Sequence, residues 1–318
     1  MLTLSKIAKL AHVSVSTASK AFSMSSEVSE KTRQEIFQVA KEYGCFKKFY
    51  NAKYPKFVVA IICPEFYGRY YSRMIALLED RLRLRNCDIC VAATGFSVEK
   101  EAELLDYYHN YANVDGIIII GGNTLIPSTY ELPVVSVIPD CRQIIGVSVN
   151  INRDGAIREI IRYFAEREIT DIAFVGERYT HEKQTAFLCA MEENGLRCQK
   201  IAVSTSRFEP GGYQGMEQLL SQGKPPRAVV CAYDYMAIGA MKCLADRGLR
   251  VPQDVAVVGM DNIPEAEFLV PCLSSVDFCI EQTCDAAANA VVDMLGGKEV
   301  EKNILFDATL CLRDSSEI

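Results

Sequence analysis

The 318-residue chain lacks the features that would place it in a membrane or outside the cell. Its apolar runs are all shorter than the roughly 18 residues that a membrane-spanning helix needs. No leader of basic, apolar and small residues precedes Leu4, so a secretory signal is not indicated. From these absences we expect a cytoplasmic protein that makes no membrane contact.

Histidine is scarce, and the cysteines form no recognisable pattern. The chain has three histidines, and its 13 cysteines are odd in number and scattered. Cys87 and Cys90 have C-x-x-C spacing, but they fall on a predicted strand and no second pair accompanies them. Free cysteines inside strands and helices behave as small apolar residues. We therefore expect reduced thiols, no metal site and no cofactor, as suits a reducing compartment.

Catalytic signatures are missing as well. The sequence contains no G-x-G-x-x-G, P-loop, G-x-S-x-G or H-E-x-x-H pattern. Glu79 and Asp80 are typical of a solvated helix face rather than of an acid–base pair. The run Gly121-Gly122-Asn123 is more typical of a turn after a strand than of a phosphate-binding loop. We therefore do not expect an enzyme.

The first 43 residues carry the apolar spacing of three short helices. Ser14 and Ser29 each precede a new helix and can cap it, and Thr17 and Thr32 follow at the three-residue offset of a capping box. Small residues would let the first two helices approach closely, as a helix-turn-helix requires. These are Ala8, Ala11 and Ala18.

The outward face of the second predicted helix carries short hydroxyls and a cation. Hydroxyls and free N–H groups at a helix N-terminus bind phosphate oxygens, while lysine donates to guanine and valine touches a thymine methyl. This pattern favours double-stranded DNA as the partner, with a small protein-binding module as the alternative. The candidate DNA contacts in this region are Ser14, Val15, Ser16, Thr17, Ser19, Lys20, Ser29 and Thr32.

Charge is divided unevenly along the chain. Residues 1–54 hold nine Lys and Arg against four Asp and Glu, a net charge of +5. The remaining residues hold 25 against 37, a net charge of −12. A basic head on an acidic body would approach a polyanion with one end only, which strengthens the prediction of a DNA-binding head.

The head resembles the N-terminal domain of the lactose-repressor (LacI/GalR) family of bacterial transcription regulators. In that family the segment reads roughly T-[IL]-x-D-[IV]-A-x-x-A-G-V-S-x-x-T-V-S-R, followed by V-S-x-x-T-R. Lys20 stands at the usual arginine, His12 at the usual turn glycine and Ser23 at the usual asparagine. The matching residues are Thr3, Ile7, Ala8, Ala11, Val13, Ser14, Thr17, Ser19, Val28, Ser29, Thr32 and Arg33.

From Phe57 onward, apolar strand patterns alternate with helix patterns of suitable length. Such alternation predicts parallel sheets covered by helices on both faces. Two sets of these patterns fit two lobes, with a switch near Val147–Ile151. Ligands in this architecture bind outside the carboxyl ends of the strands, here in a crevice between the lobes.

Motifs in the body extend the resemblance to the C-terminus. Asp254–Asn262 matches D-[IV]-x-[IV]-x-G-[FY]-D-[DN], Tyr233–Gly239 matches N-D-x-x-A-x-G, and Leu310–Ser315 matches the closing L-x-x-R-x-S. The resemblance implies a small all-α helix-turn-helix head plus an α/β bilobed, periplasmic-binding-protein-like (type I) core with two parallel-sheet sandwich lobes.

We divide the chain into three parts on this basis. Residues 1–45 form the head, 46–56 an atypical hinge, and 57–318 the effector-binding and dimerisation core. The N-lobe takes about 57–148 and 278–298, and the C-lobe takes about 152–275 and 304–318. The family fold implies crossings between lobes near 148–152, 275–278 and 298–304.

An effector site can be carried over from the family position by position. The resemblance places Tyr70, Tyr71 and Asp261 beside the ligand, sets Gln184 where relatives have an arginine, and sets Tyr233 where they have an asparagine. A charged fork would then have become an amide and a phenol. One prediction is that the site binds a flatter or less anionic molecule, either a sugar or another small metabolite. The alternative is that the site has lost its effector and that the tyrosines only fill the space between the lobes.

The hinge departs from its relatives, in which this segment folds on the operator and wedges a leucine into the minor groove. Here Lys47 and Lys48 replace the usual Pro and Asn, and Tyr54 stands at the wedge. These three residues are candidate DNA contacts. The alternative is that Phe46, Phe49 and Tyr50 pack the head against the body.

Together these features predict a transcriptional regulator, in the first instance a repressor, that binds a palindromic operator as a homodimer. The family implies a dimer contact along the helix Tyr70–Arg85, with Leu77, Leu78 and Leu82 as candidates unless they belong to the core. Effector binding would close the lobes and change operator affinity. The rivals are a small-molecule-binding module whose head docks on protein, a regulator without an effector, and an enzyme of the same fold class.

Overall fold

The computed structural model describes residues 3–50, 56–122, 124, 130–139, 146–198 and 200–318. The chain divides into two compact units, residues 1–57 and 58–318. The first unit is the all-α head and the second is the α/β body. In the described parts of the chain, no helix combines the length and apolarity needed to cross a bilayer.

The described residues of the head form four helices, and the first three begin at a side-chain cap. Ser14 Oγ accepts a hydrogen bond from the Thr17 backbone N–H at 3.0 Å, and Ser29 Oγ accepts one from the Thr32 N–H at 3.2 Å. Both predicted caps are therefore confirmed. The helices are α1 (Leu4–Leu10), α2 (Val15–Phe22), α3 (Glu30–Glu42) and α4 (Phe46–Phe49).

The turn between α1 and α2 runs through His12, whose φ of 56° lies in the left-handed region. Glycine adopts this conformation without a steric penalty, whereas a residue with a Cβ is strained there. His12 is exposed and adopts the left-handed turn conformation at the position where the family pattern has glycine.

An aromatic cluster joins α4 to the rest of the head. The Phe22 and Phe37 rings lie 5.4 Å apart, the Phe46 ring stands edge-on to Phe37 at 4.9 Å, and Phe49 lies 5.8 Å from Phe22. Tyr50 stacks on Phe46 at 4.7 Å. Phe46, Phe49 and Tyr50 thus pack on the core of the head itself, whereas the sequence predicted either a hinge or packing against the body.

The first lobe of the body is built on a six-stranded sheet in the order β11-β5-β4-β3-β1-β2. The pairs β1–β3, β3–β4, β4–β5 and β5–β11 are parallel. Its helices are α5 (Arg69–Arg83), α6 (Val98–Asn110) and α11 (Ile280–Leu295). Its strands are β1 (Phe57–Cys63), β2 (Cys87–Ala93), β3 (Gly116–Ile120), β4 (Val134–Val137), β5 (Val147–Asn152) and β11 (Asn303–Asp307).

The second lobe has a four-stranded parallel sheet in the order β7-β6-β8-β9 and an antiparallel pair, β10 with β12. Its helices are α7 (Arg153–Ala165), α8 (His181–Glu193), α9 (Phe208–Ser221), α10 (Asp234–Asp246) and a 3₁₀ turn at Pro264–Phe268. Its strands are β6 (Ile172–Glu177), β7 (Ile201–Ser204), β8 (Ala228–Cys231), β9 (Ala256–Val258), β10 (Ser275–Asp277) and β12 (Thr309–Cys311). The predicted fold class is confirmed.

One part of the predicted lobe division is wrong. Strand β11 pairs parallel with β5 in the first-lobe sheet, with Ile304 opposite Val149. The chain therefore changes lobe after Asn152, after Asp277 and after Asp307, rather than before residues 152 and 304. The reason is that β5 would be an unpaired sheet edge without β11, and sequence periodicity does not say which edge a late strand covers.

Candidate DNA-binding face and interlobe crevice

The exposed face of α2 presents the predicted residues to solvent. Ser14, Val15, Ser16 and Ser19 are exposed, with Val15 at 47%. Thr17 is partly buried, and its hydroxyl lies 2.8 Å from Ser14 Oγ. Thr17 therefore completes the helix cap, and the first turn of α2 offers backbone N–H groups and serine hydroxyls at the surface.

Lys20 has an acidic neighbour that sequence reasoning missed. Its ammonium is hydrogen-bonded to the Glu27 carboxylate, and both side chains are exposed. The spacing of seven residues gives no helical signal for this pair, because Glu27 lies in the loop between α2 and α3. The contact uses one of the three donors of the Lys20 ammonium, so the other two remain for a base or a phosphate.

Ser29 and Thr32 also act at a helix start, with their hydroxyls 2.8 Å apart. Ser29 is exposed, whereas Thr32 is partly buried. The adjacent Arg33 is buried and donates to the Ser25 and Val28 carbonyl oxygens at 2.8 and 3.1 Å. This arginine therefore fixes the loop that precedes α3 instead of facing a partner.

Three predicted DNA contacts cannot be placed. Tyr54 lies outside the described residues, and the side chains of Lys47 and Lys48 are outside the description as well, although their backbone belongs to α4.

A cavity of about 320 Å³ opens between the two lobes of the body. Four of the five predicted effector residues line it, namely Tyr70, Tyr71, Tyr233 and Asp261. Gln184 is not among the residues that line the cavity, which differs from its predicted place beside the ligand. Lys183 faces the cavity instead, because one residue along a helix turns the side chain by about 100°. The cavity therefore has a cation, Lys183, one residue before the position at which relatives have an arginine.

Lys183 reaches the carboxyl ends of the second-lobe strands. Its Nζ donates to the Ala232 carbonyl oxygen at 2.7 Å and lies 3.4 Å from Asp261 Oδ1. Burial raises the pKa of Asp261 above its ordinary value, although the Lys183 charge opposes this shift. Asp261 therefore offers a buried acceptor to the cavity.

Arg207 is the second cation in the crevice and was not predicted. It donates two hydrogen bonds to the Glu65 carboxylate, at 2.7 and 2.9 Å, and its Nε lies 3.7 Å from Glu177 Oε1. Burial lowers the pKa of Arg207, but the hydrogen bond and charge of Glu65 outweigh it, and the net shift is upward. No motif marks this residue, because its two partners lie more than a hundred residues and thirty residues away in the chain.

The tyrosines in the crevice do different things. The Tyr233 hydroxyl accepts a hydrogen bond from the Phe208 N–H at 2.9 Å, so it braces the start of α9. Burial raises the pKa values of Tyr233 and Tyr70, which keeps both phenols neutral at ordinary pH. The rings of Tyr70 and Tyr71 stand edge-to-face at 5.4 Å.

Backbone strain is concentrated around this cavity. Four of its lining residues have a side chain and a positive φ: Phe96 at 64°, Ile138 at 49°, Phe208 at 57° and Asp261 at 102°. Such conformations persist only where the surrounding structure imposes them, and they cluster at functional sites.

The carboxylate of the Tyr233–Gly239 motif has a structural task. Asp234 is fully buried and accepts hydrogen bonds from the Ser275 hydroxyl at 2.6 Å and the Ile263 N–H at 2.8 Å. Burial raises its pKa well above the ordinary value. It therefore ties α10 to β10 and to the loop after β9, beside but not inside the cavity.

The described cysteines and acidic groups include no cluster of three potential metal ligands. Burial raises the pKa of the Cys87 and Cys90 thiols, which keeps them in the unreactive protonated form.

The predicted dimer contact on α5 is corrected in part. Leu78 and Leu82 are fully buried in the first lobe, and Leu77 is partly buried, so the two buried leucines belong to the core. A more exposed apolar surface lies on the second lobe, where Val270 is 97% and Phe268 84% exposed. It borders a shallow groove formed by Ile238, Met241, Lys242, Ala245, Leu249, Val251, Leu269, Val270 and Pro271.

Family models match both units of the chain. Residues 3–45 match the model for bacterial regulatory proteins of the lacI family. Residues 161–316 match the model for a periplasmic binding protein-like domain. The first match lies within the helical head and the second lies within the α/β body.

Curated relatives and solved structures agree with these matches. The HTH-type transcriptional repressor PurR of Erwinia tasmaniensis is 26% identical over 96% of this chain and 94% of its own, and that of Salmonella arizonae is 28% identical over 95% and 92%. A lacI-family regulator from Silicibacter pomeroyi superimposes with a TM-score of 0.80 at 20% identity, covering 99% of both chains. The Lac repressor dimer bound to operator and an anti-inducer gives 0.75 at 19% identity, again over 99% of both chains. The chain therefore carries a helix-turn-helix head of the lacI family of bacterial regulatory proteins, followed by a periplasmic binding protein-like domain.

Proposed function

We propose that this protein is a cytoplasmic repressor that binds a palindromic operator as a homodimer and responds to a small molecule in the interlobe crevice. The observation that carries the proposal is the exposed face of α2. There the capped helix presents serine hydroxyls, Val15 and Lys20 from a basic head. This surface matches what a major groove requires of a recognition helix.

Selection of genomic fragments by the purified protein tests this function. We expect enrichment of fragments that share an inverted repeat, with half-sites about one helical turn apart. Affinity for such a fragment should fall steeply with salt, because bound lysines and arginines release counterions from phosphates. Equal retention of all fragments, or binding that ignores salt, would contradict the proposal and favour the module whose head docks on protein.

A dimer is supported by the apolar surface around Val270. One head contacts only one half-site, which is too little for selectivity, so two heads must be joined. The exposed side chains of Val270 and Phe268, beside an apolar groove on the second lobe, form the kind of surface that a second copy covers.

Introducing a charge at Val270 should dissociate the dimer into monomers. We expect Val270→Asp to shift the protein to monomer in sedimentation velocity and to weaken operator binding more than about 30-fold, since an unpaired interface charge costs about 2 kcal/mol or more. Tyr111→Asp, at a 75% exposed residue of the first lobe, is the matched control and should remain dimeric. A dimeric Val270→Asp protein would show that another surface holds the copies together.

The effector is proposed to be a small uncharged molecule with a flat face. The charged groups in the cavity are largely paired with each other: Glu65 with Arg207, Asp261 with Lys183, and Glu182 with Arg153. The walls are rich in aromatic rings, which suit a planar ligand, and the volume suits a small metabolite. The genes beside the selected fragments would narrow the choice of molecules to test.

A further inference from the structure

Several direct contacts join the two lobes across the crevice, and two of them lie side by side. Glu65 follows β1 in the first lobe and Arg207 precedes α9 in the second, and their side chains form a two-bond ion pair across the gap. Beside them, the Phe96 ring of the first lobe stacks on the Tyr179 ring of the second, with centroids 4.0 Å apart and planes 12° apart.

We propose that these four residues form an interlobe latch that holds the crevice closed in the ligand-free protein. The latch is a means of regulating the proposed effector site, and its regulatory meaning rests on that proposed function. The effector then acts on a body whose closed state is already the populated one.

The ion pair between Glu65 and Arg207 can form only when the two lobes are in contact. Glu65 is 6% exposed, and the guanidinium of Arg207 is also within reach of Glu177, which is 3% exposed. Two parallel hydrogen bonds require one relative position of the carboxylate and the guanidinium, so a shift of one lobe breaks both. The second carboxylate leaves Arg207 paired on its own lobe when the crevice opens.

Aromatic rings surround the same guanidinium. The Phe208 ring lies 4.8 Å from it, Tyr179 5.3 Å, Phe96 5.6 Å and Tyr67 5.7 Å. Phe96 and Tyr67 belong to the first lobe, and Tyr179 and Phe208 to the second. Cation–π attraction from Phe96 and Tyr67 therefore adds to the ion pair and to the ring stack, and these three are lost together on opening, whereas Tyr179 and Phe208 stay beside Arg207.

A latch of this kind changes what an effector must do. A ligand shifts an equilibrium between two states only by the difference in its affinity for them. A ligand that favours a state that is already dominant therefore changes the population of that state very little. An effector that merely closes the lobes would therefore have a small effect here. The molecule that regulates this protein must favour the open crevice or displace a latch contact.

The latch is tested by measuring hydrogen exchange in the ligand-free, full-length protein and in its Glu65→Gln variant. The amide keeps the shape of the side chain and leaves Arg207 its second carboxylate, so no charge is stranded. We expect peptides covering 64–71 and 177–183 to be protected in the natural protein and to exchange at least about 10-fold faster in the variant. Peptides from β3 and β8 should exchange at unchanged rates, which separates opening of the crevice from general destabilisation.

Two further variants complete the test. Glu193→Gln removes an ion pair with Arg158 that lies within the second lobe, and it should leave the crevice peptides unchanged. Tyr179→Leu removes the ring stack without touching Glu65, and it should speed the same peptides. Unprotected crevice peptides in the natural protein, or rates that neither latch variant changes, would overturn the proposal. Failure of the natural protein to select an operator would instead contradict the proposed function, because exchange of the free protein involves no DNA.

Discussion

Replacing Ser16 by glutamate should lower operator affinity at least about 100-fold. Ser16 is exposed in the first turn of α2, where backbone N–H groups are directed at solvent. A carboxylate at this point would face phosphates and base edges in the groove, and a desolvated like-charge contact costs several kcal/mol. The affinity is measured by fluorescence anisotropy with a selected operator.

The fold of the head should not suffer from this change. Ser16 makes no hydrogen bond within the described residues other than those of the helix, and an acid in the first turn of a helix is favourable. Gln38→Glu on α3 introduces the same charge at another exposed position of the head, and it should weaken binding less than about threefold. Equal losses for both variants would mean that net charge, rather than the face of α2, governs binding.

Replacing Gly239 by alanine should destabilise the body by at least about 3 kcal/mol. Helices α9 and α10 cross in close contact, and a Cβ at Gly239 would lie 2.0 Å from the Glu209 carbonyl oxygen and 2.7 Å from the Tyr213 nitrogen. Both atoms belong to backbone, so the helices must separate. Because Phe208 begins α9 and Tyr235 lies in the first turn of α10, the second-lobe wall of the crevice would move as well.

Urea unfolding followed by circular dichroism measures this loss. The matched control is Gly296→Ala at the end of α11, where φ is −81° and the nearest atom to a new Cβ is 3.4 Å away. It should change the free energy of unfolding by less than about 1 kcal/mol. A Gly239→Ala protein as stable as this control would show that the two helices can separate without a large loss.

Local signals in the sequence led to correct structure where neighbours in the chain supplied the partners. Ser14 and Ser29 cap their helices as predicted, because a cap is made with backbone three residues away. Strand and helix alternation gave the fold class, because burial on both faces imposes apolar runs. The cavity placed Tyr70, Tyr71, Tyr233 and Asp261 together as the resemblance implied. Their part in binding an effector stays a prediction.

Errors arose where a one-residue register or a distant partner decided the outcome. Gln184 and Lys183 are adjacent, yet only Lys183 faces the cavity, since a helix turns about 100° per residue. The α5 pattern marks Leu78 and Leu82 as apolar without saying which apolar surface they meet, and they pack into the lobe. Strand β11 was assigned to the wrong lobe for a similar reason.

The sequence by itself determined the head, the alternation of strands and helices in the body, and the kinship to the lacI family. Each of these features depends on residues that lie close to one another in the sequence or on motifs of fixed spacing. Only the tertiary structure decided that Lys20 meets Glu27, that β11 completes the first sheet and that Arg207 joins Glu65 across the crevice. These pairs depend on where distant segments meet, and charge complementarity alone does not select one partner among the many acids and bases of the chain.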